Sequence, residues 1–150
     1  MRAIFMMGGP AAGKSRVRAA QYGACAYVDA DEIKREHPDY DPKNPSVVHE
    51  WSSQEATRRF YALLGTGQDV VFDGTGNTAE KYVGFIQDAQ QAGYATELVY
   101  VTTDLATALA RNAARERVVS EGIVRDRHAR VATSFEIVSR YADTVRVVRN

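Results

Sequence analysis

Ile4-Phe5-Met6-Met7-Gly8-Gly9-Pro10-Ala11-Ala12-Gly13-Lys14-Ser15 is the stretch whose reading decides the fold. Residues 2–7 form a short apolar run that stops at a Gly-Gly-Pro turn, the pattern of a parallel strand buried on both faces. Residues 8–15 satisfy GxxxxGK[ST] in full, and residues 14–21 read as a helix that ends near Gly23. Strand, glycine turn and helix form the context in which this motif binds phosphate. The glycines let the backbone wrap close to phosphate oxygens, so that amide N–H groups and the helix N-terminus face the negative charge. Within such a loop Lys14 is expected to reach the β- and γ-phosphates of a nucleotide, and Ser15 to ligate Mg²⁺ through its hydroxyl.

Working outward, residues 24–28 read as a second strand that meets a carboxylate cluster at Asp29, Asp31 and Glu32. Strand, helix and strand make a βαβ unit. Residues 31–36 follow as a short helix, and the Pro-rich residues 37–45 as a loop. Residues 46–64 place Val47, Val48, Trp51, Phe60, Tyr61 and Leu64 largely at helical spacing, with Ser46 as N-cap and Gly65 as stop. A third strand over residues 69–72 closes in Asp73-Gly74-Thr75-Gly76-Asn77, and Thr78 caps a helix running to Gly93. A fourth strand spans residues 97–102. Thr103 or Asp104 then caps a helix from Leu105 to about Val118, with Arg111, Arg115 and Arg117 at its far end. A further Arg-rich stretch, residues 122–130, leads into a last helix, and residues 145–148 are a fifth strand. Alternating strands and helices mean a parallel sheet covered on both faces.

The chain has 150 residues, with 19 Lys plus Arg against 19 Asp plus Glu, the profile of one compact domain without the excess positive charge that condenses a protein on duplex DNA or an acidic membrane. No signal-peptide pattern or membrane-spanning run is visible, so the expected location is cytoplasmic. Cys25, the sole cysteine, reads as a small filler in the second strand. His37, His49 and His128 lack ligand spacing with one another, and no zinc is expected.

A phosphate loop leaves motors, GTPases, regulators and kinases open. The carboxyl edge of the second strand narrows the choice, because open α/β sheets bind ligands there and a kinase needs a carboxylate to accept the proton of the attacking hydroxyl. Asp29 and Asp31 both stand at that edge; capping the short helix is the other use for acids there.

Val28-Asp29-Ala30-Asp31-Glu32-Ile33-Lys34-Arg35-Glu36-His37-Pro38-Asp39-Tyr40 resembles the corresponding segment of the zeta-toxin family. His49-Glu50-Trp51-Ser52-Ser53, Val71-Phe72-Asp73-Gly74-Thr75-Gly76 and the pairing of Gly93-Tyr94 with an Arg-containing helix resemble zeta-like kinases too, and the likeness covers nearly the whole chain. Asp31 to Lys34 and Arg111-Asn112-Ala113-Ala114-Arg115 are also similar to the kinase domain of phage polynucleotide 5′-hydroxyl kinases. The resemblance implies a three-layer α/β/α P-loop NTPase of the nucleoside-monophosphate-kinase type. It also implies a five-stranded parallel sheet in the order 2-3-1-4-5, one domain over residues 1–150 and a lid at about residues 111–130.

On the same grounds Asp31 is the acceptor-activating carboxylate, Lys34 a basic residue touching the acceptor, and Asp73 and Thr75 lie against substrate. Asp73 also stands where P-loop proteins place an acid near Mg²⁺, and the two roles stay open. Arg111 and Arg115, one helical turn apart, share a face toward the nucleotide if their helix leads into the lid, where a planar guanidinium suits the charge of a transferring phosphoryl group. Arg115 matches the lid arginine of these families.

Two departures stand out. The chain reads Gly122-Ile123-Val124-Arg125 where many zeta-like proteins read Gly-Arg-x-Val-Pro, which leaves Arg125 or Arg127 to supply the second lid contact. Asn77 stands where toxins acting on UDP-N-acetylglucosamine tend to carry a substrate-binding arginine, and those toxins usually continue well past the point where this chain stops. Both features weaken the nucleotide-sugar assignment and leave the kinase assignment intact. The expectation is therefore an ATP- and Mg²⁺-dependent phosphotransferase, with ATP preferred over GTP on family grounds. Its acceptor is a hydroxyl of a nucleotide sugar or other small metabolite, or alternatively of a nucleic-acid end. A nucleotide-dependent binding module without phosphoryl transfer is the rival from another class, and the family makes an antitoxin-like partner conceivable.

Overall fold

The computed structural model describes residues 1–9, 12–115 and 118–150. The expectations placed on Pro10, Ala11 and Arg117 lie outside the described residues. Central in the sheet is β1 (Arg2–Met7), flanked by β3 (Val70–Asp73) and β4 (Ala95–Thr102), with β2 (Ala26–Asp29) and β5 (Thr144–Arg149) outermost. All four pairings are parallel, so the order is β2-β3-β1-β4-β5. Every residue of β1 from Ala3 to Met7 is fully buried, because helices cover both faces of the sheet. Alternation along the strand splits the core. Ala3, Phe5 and Met7 join α3 (His49–Leu64), α4 (Ala79–Gln91) and α6 (Glu121–Val138), while Ile4 and Met6 join Val17 and Tyr22 of α1 (Lys14–Tyr22).

The first of these faces carries the larger core. The Phe60 ring sits 5.6 Å from Phe5, 5.5 Å from Phe72 and 5.1 Å from Phe85, all in edge or tilted geometries favoured by the aromatic quadrupole. Helix α3 comes this close because its inward stripe is spaced by four: Ser52, Ala56, Phe60 and Leu64 are buried, and the two small residues let the helix approach the sheet. The helix expected from Ser46 instead begins as a 3₁₀ turn over Pro45–Val48, with Pro at its first positions, and becomes α-helical at His49. Val47 and Tyr61, placed on the apolar stripe by spacing, are exposed at 61% and 40%.

Other boundaries differ for readable reasons. Residues Gly23 to Cys25 complete a turn in which Cys25 N–H donates to Tyr22 O, so Cys25 precedes β2 and is half-buried. Helix α2 (Ala30–Lys34) starts one residue early because Asp29 caps it. Helix α4 ends in a Schellman motif, with Tyr94 N–H on Ala89 O, Gly93 N–H on Gln90 O and Gly93 at φ 89°. The single helix expected to run to Val118 is cut at Ala113, ending α5 (Leu105–Ala113). Buried Asn112 is the cause: its amide donates to Val119 O at 2.7 Å and accepts from Val119 N–H at 3.2 Å, turning the chain back on itself. Residues 122–130 are then part of α6, which Ser120 caps through Ile123 N–H. Among the described residues no helix is long and apolar enough to cross a membrane.

Phe60→Ala removes the ring at the centre of this cluster and is expected to cost about 3–5 kcal/mol by urea unfolding, whereas Val47→Ala should stay within about 0.5 kcal/mol. Equal losses at the two positions would contradict the inward stripe described here.

Candidate active site

The phosphate loop leaves β1 at Met7 and enters α1 at Lys14. Gly8 N–H donates to Thr75 O at 3.1 Å, and a Cβ on Gly8 would lie 2.6 Å from Val101 O and 2.9 Å from Lys14 Cγ, so only glycine fits between the β4 backbone and the lysine stem. Gly13, at φ 88°, is the N-cap of α1 and supplies no capping side chain, which leaves the first amides of the helix free to serve an anion. Asn150 closes the loop from the far side: its side-chain amide donates to Ala12 O at 2.9 Å and its backbone N–H to Thr102 O at 2.8 Å.

One turn into α1, Arg18 shares the face of Lys14. It stands over two carboxylates that register side by side at the ends of β2 and β3, Asp29 and Asp73. Arg18 Nη1 lies 3.3 Å from Asp29 Oδ2 and 3.0 Å from Asp73 Oδ2, while Lys14 Nζ lies 3.6 Å from Asp73 Oδ1. The guanidinium rests 3.9 Å from the centre of the Tyr27 ring, and Tyr27 donates its hydroxyl to Glu32 at 2.8 Å. Burial, and then the neighbouring charge of Asp73, hold the Asp29 carboxyl above the ordinary aspartate range. Asp73 Oδ2 is buried and accepts no hydrogen bond, because Arg18 meets it at ion-pair distance without hydrogen-bond alignment.

Asp73, whose Oδ2 accepts no hydrogen bond and whose Oδ1 lies 3.6 Å from the phosphate-loop lysine, and the Ser15 hydroxyl are hard oxygen donors of the kind Mg²⁺ takes together with phosphate and water.

Asp29 and Asp31 are separated by their hydrogen bonds. Asp29 Oδ1 accepts from Asp31 N–H at 2.9 Å and Glu32 N–H at 3.4 Å, so it caps α2. Asp31 is left with its side chain 74% exposed, 3.9 Å from Lys34 Nζ, on the wall of a cleft of about 860 Å³. That cleft also takes in Gly9, Ala12, Gly13, Lys14, Ser15, Lys34, Thr75 and Asn77.

The arginines divide. Arg115 and Arg127 line the cleft, Arg125 is exposed on α6, and Arg111 donates to Asn150 O at 3.3 Å. The shared helical face expected for Arg111 and Arg115 is not formed, because α5 stops before Arg115. Helix α6 is held over the cleft by His128, whose Nε2 lies 2.9 Å from Thr103 O, and by the Ser134 hydroxyl, which donates to Gly76 O. Arg18 was missed from the sequence, although a cation four residues beyond the phosphate-loop lysine is a signal that it faces the same strand ends. Lys81, which lines a smaller cavity beside Asp31 together with His49 and Ser53 of the segment already likened to zeta-like kinases, carried no such signal.

A comparison with family models matches the zeta toxin model over residues 2–150. The chain belongs to the zeta toxin family. Among solved structures, the PezAT toxin-antitoxin system of Streptococcus pneumoniae aligns with 16% identity and a TM-score of 0.73, covering 99% of this chain and 67% of that one. A putative kinase from Chloroflexus aurantiacus aligns with 16% identity and a TM-score of 0.68, covering 99% and 87%. The AvrRxo1-ORF1:-ORF2 complex with ATP aligns with 20% identity and a TM-score of 0.69, and this chain spans 50% of that one. A comparison with curated proteins found no match. At these identities the likeness to solved structures is one of fold, the zeta toxin arrangement of five parallel strands with the phosphate loop after the central one.

Removing Arg18 from this zeta toxin fold leaves two buried carboxylates with one fewer cation, and Arg18→Met is expected to cost about 3–5 kcal/mol at pH 7. The folded Asp29 pKa, already raised, then climbs further. An acid whose folded pKa exceeds its unfolded value binds more protons when folded, so its penalty grows as pH rises through that window and eases as pH falls. The deficit of Arg18→Met relative to wild type should therefore shrink between pH 7 and pH 5 in urea titrations. A deficit that is flat or larger at pH 5 would contradict the role given to Arg18.

Proposed function

We propose that the protein is an ATP- and Mg²⁺-dependent kinase that transfers the γ-phosphate to a hydroxyl of a small molecule. The observation that carries this reading is that one cleft is walled by the phosphate-loop Lys14 and Ser15 on one side and the exposed carboxylate Asp31 on the other. The loop amides and Lys14 hold the phosphates, and the acceptor lies between them and α2. Asp31 accepts the hydroxyl proton as the acceptor oxygen bonds to the γ-phosphorus and the bond to the ADP oxygen breaks. Lys34, 3.9 Å from Asp31, orients that carboxylate. Arg115 and Arg127 carry charge on the transferring oxygens when the lid over residues 111–130 closes. Ser15 and Asp73 are the residues that would hold Mg²⁺, which would supply charge neutralisation at the phosphates. Thr75 and Asn77 line the acceptor side of the cleft. The single domain works in the cytoplasm, and the toxin-antitoxin description of the pneumococcal relative makes an antitoxin-like protein its proposed partner.

Asp31→Asn should lower kcat by about 10²- to 10⁴-fold while ATP affinity, measured by calorimetry, changes less than about threefold. Lys14→Ala should weaken both. Loss of ATP binding in Asp31→Asn would move Asp31 into the nucleotide site. Intact ATP binding without phosphoryl transfer to small alcohols, sugars, UDP-sugars, nucleosides or 5′-hydroxyl oligonucleotides would favour the binding-module reading. Label on the oligonucleotide alone would replace the small acceptor with a nucleic-acid end.

A further inference from the structure

Asn150 follows β5 directly and is held where three parts of the fold meet. Its backbone N–H donates to Thr102 O at the end of β4 at 2.8 Å, and its carbonyl accepts from Arg111 of α5 at 3.3 Å. So fixed, its carboxamide reaches the phosphate loop and donates to Ala12 O at 2.9 Å, in a contact partly shielded from water. The approach is close: a Cβ on Gly13 would overlap the Asn150 amide nitrogen. The loop's own hydrogen bonds at this point are longer. Ala12 N–H lies 3.3 Å from Gly9 O, and Gly13 O accepts from Val17 N–H at 3.3 Å. Gly13, at φ 88°, has no side chain to pack and the conformational freedom of glycine, so its amide keeps one direction only if the peptide that bears it is held. The Ala12 side chain is buried with Ile4, Met6 and Val17 while its carbonyl is tied to Asn150, which pins the Ala12–Gly13 peptide from both sides. A trans peptide points its carbonyl and its N–H in opposite directions. With the Ala12 carbonyl turned back to Asn150, the Gly13 N–H is turned toward the large cleft, whose wall includes Ala12, Gly13 and Lys14 but not Asn150.

We propose that Asn150 is a positioning residue for the nucleotide: by holding Ala12 O it keeps the Gly13 N–H presented to the phosphate oxygens. The inference rests on the nucleotide site of the kinase reading above and not on its acceptor. The role needs a donor, because the Ala12 carbonyl only accepts; a carboxamide supplies an N–H where a hydrocarbon of the same shape supplies none. An amide already aimed at the place of negative charge needs no reorganisation when the ligand arrives, so Asn150 contributes to binding without touching the nucleotide. Through Arg111 the same residue joins the phosphate loop to the end of α5.

Asn150→Ala and Asn150→Leu both remove the donor, the second at nearly the same shape. Calorimetry in the presence of Mg²⁺ compares a non-hydrolysable ATP analogue with inorganic tripolyphosphate, which engages the loop without a base or a ribose. Both ligands should bind the variants about three- to tenfold more weakly than wild type, the scale of one hydrogen bond, with the Tm of the unliganded protein unchanged. If Ala disturbs folding, Leu carries the comparison. A loss confined to the ATP analogue would place Asn150 on the base or the ribose and overturn the proposal, as would equal affinities in wild type and variants.

A contact that only stabilised the fold would leave the amide itself unaffected. In isotope-labelled protein the Gly13 amide proton resonance should be displaced when saturating tripolyphosphate binds wild type, and displaced clearly less in the saturated variants. Equal displacement in wild type and variants would overturn the proposal. In turnover, KM for ATP should rise about three- to tenfold at nearly constant kcat. A fall in kcat at unchanged KM would overturn it too. Polyphosphate binding that depends on Asn150, together with no transfer to any acceptor by wild type, would count against the kinase reading and leave the role of Asn150 standing.

Discussion

Asp29 and Asp73 meet side by side at the ends of two parallel strands, nearly out of reach of water, and the active end of the sheet is organised around the cations that make this tolerable. Lys14 and Arg18 are one turn apart on α1, so neutralising both acids fixes the rotation of α1 about its axis as well as its position. That rotation sets where the loop amides point. On the other strand, Asp29 spends its second oxygen on the first amides of α2, which turns the Asp31 side chain out into the cleft. A single charge cluster thus couples the phosphate loop to the acceptor carboxylate. In the proposed reaction, Lys14 moving onto phosphate would release Asp73 Oδ1, the oxygen that would then serve a metal, while Oδ2 stays with Arg18.

The α6 side of the site rests on backbone carbonyls rather than on charge. Ser134 and His128 of α6 donate to Gly76 O and Thr103 O, groups that follow β3 and β4, so the helix bearing Arg127 is registered against the same strand ends that carry the site. Asn112 turns the chain between α5 and α6 and puts Arg115 beyond the helix end, beside the cleft. Arg111, still within α5, is directed to the carbonyl of Asn150. Two arginines that read as one helical face in the sequence therefore do different work because of a single buried amide.

This separates what was legible in the sequence from what was not. The strands and the phosphate loop were accessible because they are local signals: a short apolar run, a glycine spacing, and carboxylates at the ends of strands. The family likeness supplied the order in which the strands lie. Helix ends set by long-range side-chain contacts were not accessible, and Asn112 is the clearest case, since an asparagine in an Arg-rich helical run carries no mark of being buried. Nor were the partners of Arg18, which depend on the lateral register of β2 and β3.

Overall neutrality conceals how charge is partitioned. Glu55 takes Arg58 and Arg59, and Glu36 takes Arg59 on the outer surface, while the acids of the site are consumed by Arg18 and Lys14. The large cleft sets Lys14, Lys34, Arg115 and Arg127 around one carboxylate, Asp31. A groove for single-stranded nucleic acid combines such charge with aromatic rings on which successive bases stack. Here the rings around Phe60 are spent in the core, and among the described residues the only aromatic ring lining the large cleft is the imidazole of His49. A cleft with positive charge at a few points around one exposed carboxylate, and without a stacking platform, favours the small acceptor of the proposed reaction over a polymer.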